Sequence, residues 1–302
     1  MKSRFLIVFS FMLVIGACKK SDENKNDPQL IFSFKFDSLQ PRLTNIGAAS
    51  VIPADHGAQS PRFNSMSSHY VELVPSALTA LGGGAVLYRN AETSAGGSNA
   101  IDFSQSVLAG NNEVFLSIPF KNIIPGSYQY LRVSLAYQNY TVDFRIQTGS
   151  GIVADLSGTL ASFIGYNTYI STFNVNDSTV NVNANKAQGY WAFETSAEGN
   201  PQWAPYLPPV LTGQAPEGAT TVPNPIFATS PIPEGSCVVT GSFASPLVIT
   251  GNETKDIHVT VSLSTNKSFE WVEHSTPGVY EPAEGDTVVD MGIRGLVPIV
   301  EN

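Results

Sequence analysis

The chain has 302 residues, 42% of them apolar, with two cysteines and a formal net charge of -9. That length builds one large all-β domain or two ordinary ones. An acidic chain without a basic cluster offers no counter-charge to phosphate, which argues against nucleic acid as a partner and against electrostatic docking on anionic lipid.

Met1 to Lys20 reads MKSRFLIVFSFMLVIGACKK. Lys2 and Arg4 form a basic n-region, Phe5 to Ile15 an apolar run too short to span a bilayer, and Ile15-Gly16-Ala17 a small-residue end just before Cys18. This is the pattern of a cleaved secretory signal over residues 1–17. With a cysteine at the cut it resembles a bacterial lipobox, which implies acylation of Cys18 and anchoring of the mature chain in the cell envelope as an outer-membrane lipoprotein. Stable anchoring needs more than one acyl chain, which lipoprotein processing supplies. Cleavage removes Lys2 and Arg4 and so takes the charge from -9 to -11. An acylated Cys18 leaves Cys237 without a disulfide partner, so the fold must rest on its core. No later apolar run approaches the ~20 residues of a transmembrane helix.

Lys19 to Gln29 is polar and aperiodic, as expected of a flexible tether. It resembles the charged segment that follows the acylated cysteine in lipoproteins of the Bacteroidota. Its mixed charge leaves the periplasmic and surface faces of the outer membrane equally open.

The folded part begins at Leu30. Phe32, Phe34 and Phe36 alternate with Ser33, Lys35 and Asp37, the period-two pattern of a strand with one buried face. Similar runs recur at 70–74, 85–88, 113–118, 128–137, 141–147, 156–163, 168–175, 179–184, 189–195, 236–243, 247–250, 256–263, 268–272 and 287–291. Pro125-Gly126, Asn139, Gly149 to Gly151, Asn176-Asp177, Gly251-Asn252 and Pro277-Gly278 read as the turns between them. Helical periodicity nowhere exceeds two turns, the short candidates being 75–81 and 103–109. The expected fold is all-β, an antiparallel β-sandwich over residues 30–302. Nine of the 20 prolines fall in 201–233. Proline removes ladder donors, so this stretch reads as a long loop without strands, an excursion from one sandwich rather than a domain boundary.

Enzyme signatures are missing: no nucleophile elbow, no zinc-protease helix motif, no phosphate-binding loop. The chain therefore reads as non-enzymatic, and a hydrolase built on distant carboxylates ranks last. Gly82-Gly83-Gly84 reads as a tight turn into a strand. Three groups of residues carry ligand chemistry. His56 and His69, with Asp55 or Glu72, have the residue types of a copper site. Glu273 to Glu284 lays onto a calcium loop, with Glu273, Glu281 and Glu284 as carboxylate ligands and Gly278 at the sharp turn, though Pro277 stands where a ligand belongs. Tyr190, Trp191, Trp203 and Tyr206 lie in or beside the proline-rich stretch, where exposed rings would stack on a glycan or a protein partner. Asp37-Ser38-Leu39, Asp177-Ser178-Thr179 and Asp286-Thr287-Val288 resemble O-glycan acceptors of exported Bacteroidota proteins and agree with the envelope address.

Over nearly its full length the chain resembles uncharacterised lipoproteins of the Bacteroidota, through FKFDSLQPRL, QSPRFNSMSSHYVEL, NTYISTF, ANKAQGYWAFET, NPIFATSPIPEGSCVVTG and VVDMGIRGLVPIV. That likeness implies an address and no activity. Within Phe115 to Asn139, SIPFKNIIPGSYQYLRVSL is similar to a strand pair of methanobactin-associated copper-binding lipoproteins, which implies a β-sandwich and metal handling without placing any copper ligand here. The expectation from sequence is an envelope-anchored β-sandwich that binds a glycan or a protein partner, the alternative being a lipoprotein that handles copper or calcium.

Overall fold

The computed structural model describes residues 27–147, 151, 153–196, 201, 209–216, 223–229 and 235–301. Within them the strands, in chain order, are β1 (Gln29–Asp37), β2 (His56–Gln59), β3 (Arg62–Val74), β4 (Ala85–Arg89), β5 (Glu92–Thr93), β6 (Ala100–Asp102), β7 (Val114–Pro119), β8 (Gly126–Gln147) and β9 (Val153–Phe163). There follow β10 (Thr168–Asn174), β11 (Thr179–Lys186), β12 (Tyr190–Ser196), β13 (Leu211–Gln214), β14 (Val238–Ile249), β15 (Ile257–Ser264), β16 (Phe269–Val272), β17 (Thr287–Asp290) and β18 (Leu296–Val300). Every helical element described is a three-residue 3-10 turn. The chain is all-β, and no described helix is long and apolar enough to cross a membrane.

β8 is the spine. It runs 22 residues without a break, so Asn139 is not the turn expected from sequence but a mid-strand residue. One edge of β8 pairs with β3 from Tyr130 to Thr141. The other edge pairs with β14 up to Ser134 and with β9 from Tyr137 onward. At the changeover the Leu135 N–H donates to the Cys237 carbonyl (2.9 Å) and the Ala136 carbonyl accepts from Ile164 (3.0 Å). β12, β13 and β4 complete this seven-stranded sheet. β13 lies inside the proline-rich stretch and pairs with β12, which corrects the reading of 201–233 as strandless. The four residues Leu211–Gln214 carry no proline, so each N–H remains available to the ladder. A bulge between Ser242 and Leu247 joins the two short runs at 236–250 into the single strand β14.

A second sheet, ordered β18-β15-β1-β7, packs over the β14-β8-β3 half. β1 pairs in parallel with β15 and antiparallel with β7, so it is central. That position explains its alternating phenylalanines: Phe32 and Phe34 are fully buried against Val71, Leu131, Val133 and Val261, and Phe34 stacks on Phe115 at 3.8 Å between centroids. Two smaller sheets cover opposite faces of the β8-β9 half. The sheet β11-β10-β6-β5 packs Ile170 and Phe173 on Tyr137, Phe163 and Tyr190. The sheet β17-β16-β2 packs Phe269 and Trp271 on Tyr140, Val142 and Leu160. Period two sends Tyr137 and Asn139 to the first face and Tyr140 and Val142 to the second. Gly82, at φ 80°, turns the chain into β4 as expected.

Two buried ionic clusters stand apart from the apolar core. Arg132 and Glu72 pair at 3.2 Å, and Glu72 also accepts the Gly84 N–H at 2.8 Å. Glu270, fully buried, accepts from Arg42 (2.7 Å) and Arg294 (3.3 Å) and lies 2.7 Å from His56 Nδ1. Each carboxylate has its hydrogen bonds met from several segments, the condition under which buried charge is tolerated.

Candidate functional site

The structure gives His56, His69, Glu273 and Glu281 local partners. His56 sits on β2 against Glu270, whereas His69 sits on β3 with its Nε2 3.3 Å from Glu92 and its ring stacked on Tyr166. Burial lowers the pKa of His69 despite Glu92, so its imidazole is held neutral. The two histidines thus have different carboxylate partners on different sheets. In the loop 273–284, Glu273 accepts from the Trp271 indole (3.2 Å) and the Gly278 N–H (2.7 Å), and Glu281 accepts the Thr276 N–H (2.9 Å). Glu284 is exposed in a 3-10 turn. The loop is organised around Asp286, which sequence reasoning passed over: it accepts from the backbone of His274 and Glu281 and from the Ser275 hydroxyl. The carboxylates of Glu273, Glu281 and Asp286 are thus engaged by donors of the loop and of Trp271. Among the described residues no three His, Cys, Asp or Glu side chains form a group that could hold a metal ion.

Tyr190 is buried beside Phe163 and Phe173. Trp191 is half-buried: it packs on the cluster of Tyr140, Leu160 and Trp271, and its ring lies over its cross-strand partner Gly213, where a Cβ would enter it. Tyr190 seals the sheet rather than facing outward, a correction to its expected place on an exposed platform, whereas Trp191 is only partly covered. Trp203, Tyr206 and Cys18 lie outside the described residues.

The structure builds a different concavity, a groove of about 520 Å³ on the Tyr137 face of the large sheet. Its floor is Tyr137 and Asn139 of β8. One wall is Asn64 and Ser65 of β3 with the segment Phe103 to Leu108; the other is Thr172 to Asn174 of β10 with the turn residues Val175 and Asn176. The first wall is fixed by a reciprocal backbone bridge between Met66 and Ala109 (3.0 Å each way) and by Phe103, which packs on Tyr137 and Phe163 at about 5 Å.

Asn139 ties the floor to both walls. Its NH2 donates to the Val175 carbonyl (2.7 Å) and the Tyr137 hydroxyl (3.3 Å), while its carbonyl accepts from Asn64 (2.8 Å). The second wall is held from behind by Glu194 of β12. Its carboxylate accepts the N–H of Asn176 (2.9 Å), the N–H of Ser178 (3.1 Å) and the Ser178 hydroxyl (2.8 Å). Burial opposes this charge, but the hydroxyl and the N–H groups of the turn outweigh it and hold the carboxyl below its ordinary range. Burial pushes the Tyr137 phenol up to about 12, so it stays neutral.

None of the groove's described lining residues is charged. The exposed Asn64, Asn174 and Asn176 present polar groups beyond their internal bonds: among the described residues the Asn64 and Asn176 carbonyls and the Asn174 NH2 have no protein partner. An amide offers both donors and acceptors in fixed directions without a charge to desolvate. Leu108, 48% exposed, and the edge of Phe103 add apolar surface. Its volume falls in the range of small-molecule sites. Comparison with protein-family models, curated proteins and solved structures returns no match for this chain.

Proposed function

We propose that this protein is an envelope-anchored, non-enzymatic β-sandwich that binds a glycan along the asparagine-lined groove, with the acylated Cys18 holding it at the outer membrane. The observation that carries this reading is the uncharged groove itself, four asparagines around an aromatic floor in a molecule of net charge -9. A saccharide hydroxyl both donates and accepts, and a carboxamide matches it in both roles. The C–H face of a sugar ring fits apolar surface such as Phe103 and Leu108.

The test uses soluble protein from Lys19 onward on an array of immobilised polysaccharides, beside the variant Asn174→Ala with Asn176→Ala. The expected result is capture of one or more glycans by the parent and a loss of at least ~10-fold in the variant, the scale of two lost neutral hydrogen bonds. No capture, or capture that the variant leaves unchanged, refutes the groove as a glycan site.

A further inference from the structure

We infer that the groove admits uncharged saccharides and turns away acidic ones, an inference that rests on the glycan-binding reading above. The lining is neutral, but its surroundings are not. Asp102 immediately precedes Phe103 on one wall, and Asp177 immediately follows Asn176 on the other. Glu113 is exposed and bonds the Gly110 N–H (2.8 Å), beside the Met66–Ala109 bridge that fixes the first wall. Glu194 stands behind the second wall with its carboxyl held ionised.

Two cations on the flanking strands, Arg62 and Lys186, have partners of their own. Arg62, two residues from Asn64 on β3, makes a bidentate pair with Asp143 at 2.8 and 2.7 Å. Lys186, at the far end of β11, lies over the Tyr190 ring at 4.7 Å. A uronate, sulfate or phosphate on a saccharide would therefore meet like charge on both sides and no counter-charge among the described lining residues. Like-charge juxtaposition is a recognised means of excluding wrong partners. Its reach is set by screening, with a Debye length of about 8 Å at physiological salt and 3 Å at 1 M.

The experiment measures binding of the chain from Lys19 onward to neutral polysaccharides (mannan, β-glucan, galactan, xylan) and acidic ones (polygalacturonate, alginate, chondroitin sulfate) at 0.15 M and 1 M NaCl. A double variant, Glu113→Gln with Asp177→Asn, is run in parallel. Both changes are isosteric: a Gln carbonyl still accepts from Gly110 and an Asn carbonyl still accepts from the Asn176 NH2 (3.1 Å), so the walls keep their supports. Neither residue lines the groove. The expected result is capture of neutral glycans only at 0.15 M salt, with the double variant binding acidic glycans at least several-fold better and neutral ones as before. High salt should narrow the gap between the two classes. Acidic glycans bound as well as neutral ones, with loss on Asn174→Ala and Asn176→Ala, would overturn the selectivity and leave glycan binding standing. An unchanged preference in the double variant also overturns it. Capture of neither class overturns both.

Discussion

Glu194 joins β12 to the turn that forms one wall of the groove, and replacing it separates the wall's own stability from its support. Its carboxylate accepts two backbone N–H groups and one hydroxyl at 2.8–3.1 Å. Hydrogen bonds to a charged group contribute about 1.5–3 kcal/mol each when protected, against about 0.5–1.5 for neutral ones. The turn is largely exposed, so water replaces part of what is lost; the sum for Glu194→Ala is then about 2–3 kcal/mol of local stability. Glu194→Gln should cost about 1 kcal/mol, because the amide oxygen keeps the two N–H groups and the Ser178 hydroxyl can rotate to accept from the new NH2. Amide hydrogen exchange at Asn176 and Ser178 reads this directly. At 1.4 kcal/mol per factor of ten, the alanine variant should exchange there roughly 30- to 150-fold faster, with the β8–β9 ladder unchanged. Acid should act in the same direction. The folded carboxyl lies below its ordinary value, so its stabilisation is complete above about pH 4.3 and is lost as pH falls through the lowered value. Unchanged protection at both amides in Glu194→Ala would show that the turn stands without the carboxylate, and the account of the wall would fail.

Glu270→Ala removes the buried carboxylate shared by Arg42, Arg294 and His56, leaving Arg294 with Asp290 and Arg42 with backbone carbonyls, and should destabilise the fold by about 3 kcal/mol in urea unfolding; a loss under about 1 kcal/mol would contradict the buried cluster. Alkaline solution should destabilise the chain through Tyr137, Tyr280 and Cys237, each pushed up to about 12 by burial. These groups stay protonated in the folded protein while the unfolded chain ionises from about pH 8.5 to 10, so each removes up to ~1.4 kcal/mol per pH unit as pH rises toward 12. A flat melting temperature from pH 8 to 11 would refute this. Gly158→Ala places a methyl group into the Phe193 ring across the β9–β12 ladder and should cost about 1–3 kcal/mol, measurable as a lowered urea midpoint. Expressed in a host that processes lipoproteins, the full chain should incorporate labelled palmitate and Cys18→Ser should not; labelling of the variant would place the anchor elsewhere.

Alternation of aromatic and polar residues was enough to place β1, β10 and β15 within a residue or two, because a strand with one buried face writes its period into neighbouring positions. Turn residues located the glycine turn before β4 and the hairpin turn at Asn176-Asp177 for the same local reason. Where a local signal met a non-local one, the sequence misled. Asn139 reads as a turn residue, yet it stays in β8 because its amide is satisfied by Asn64 and Val175, partners 75 and 36 residues away. Leu211–Gln214 reads as loop and becomes a strand because β12 offers it an edge. Tyr190 invites a stacking surface until the β10 sheet covers it. Glu273 and Glu281 have the composition of a cation loop, but composition does not say that backbone N–H groups claim them first. The groove is the extreme case. Its asparagines come from β3, β8, β10 and the following turn, and no spacing along the chain marks them as one site. The alternation that marks β1, β10 and β15 is a short-range pattern, so the sequence alone carries it. The groove depends on which strands pair and which sheets face each other, and long-range packing alone decides that.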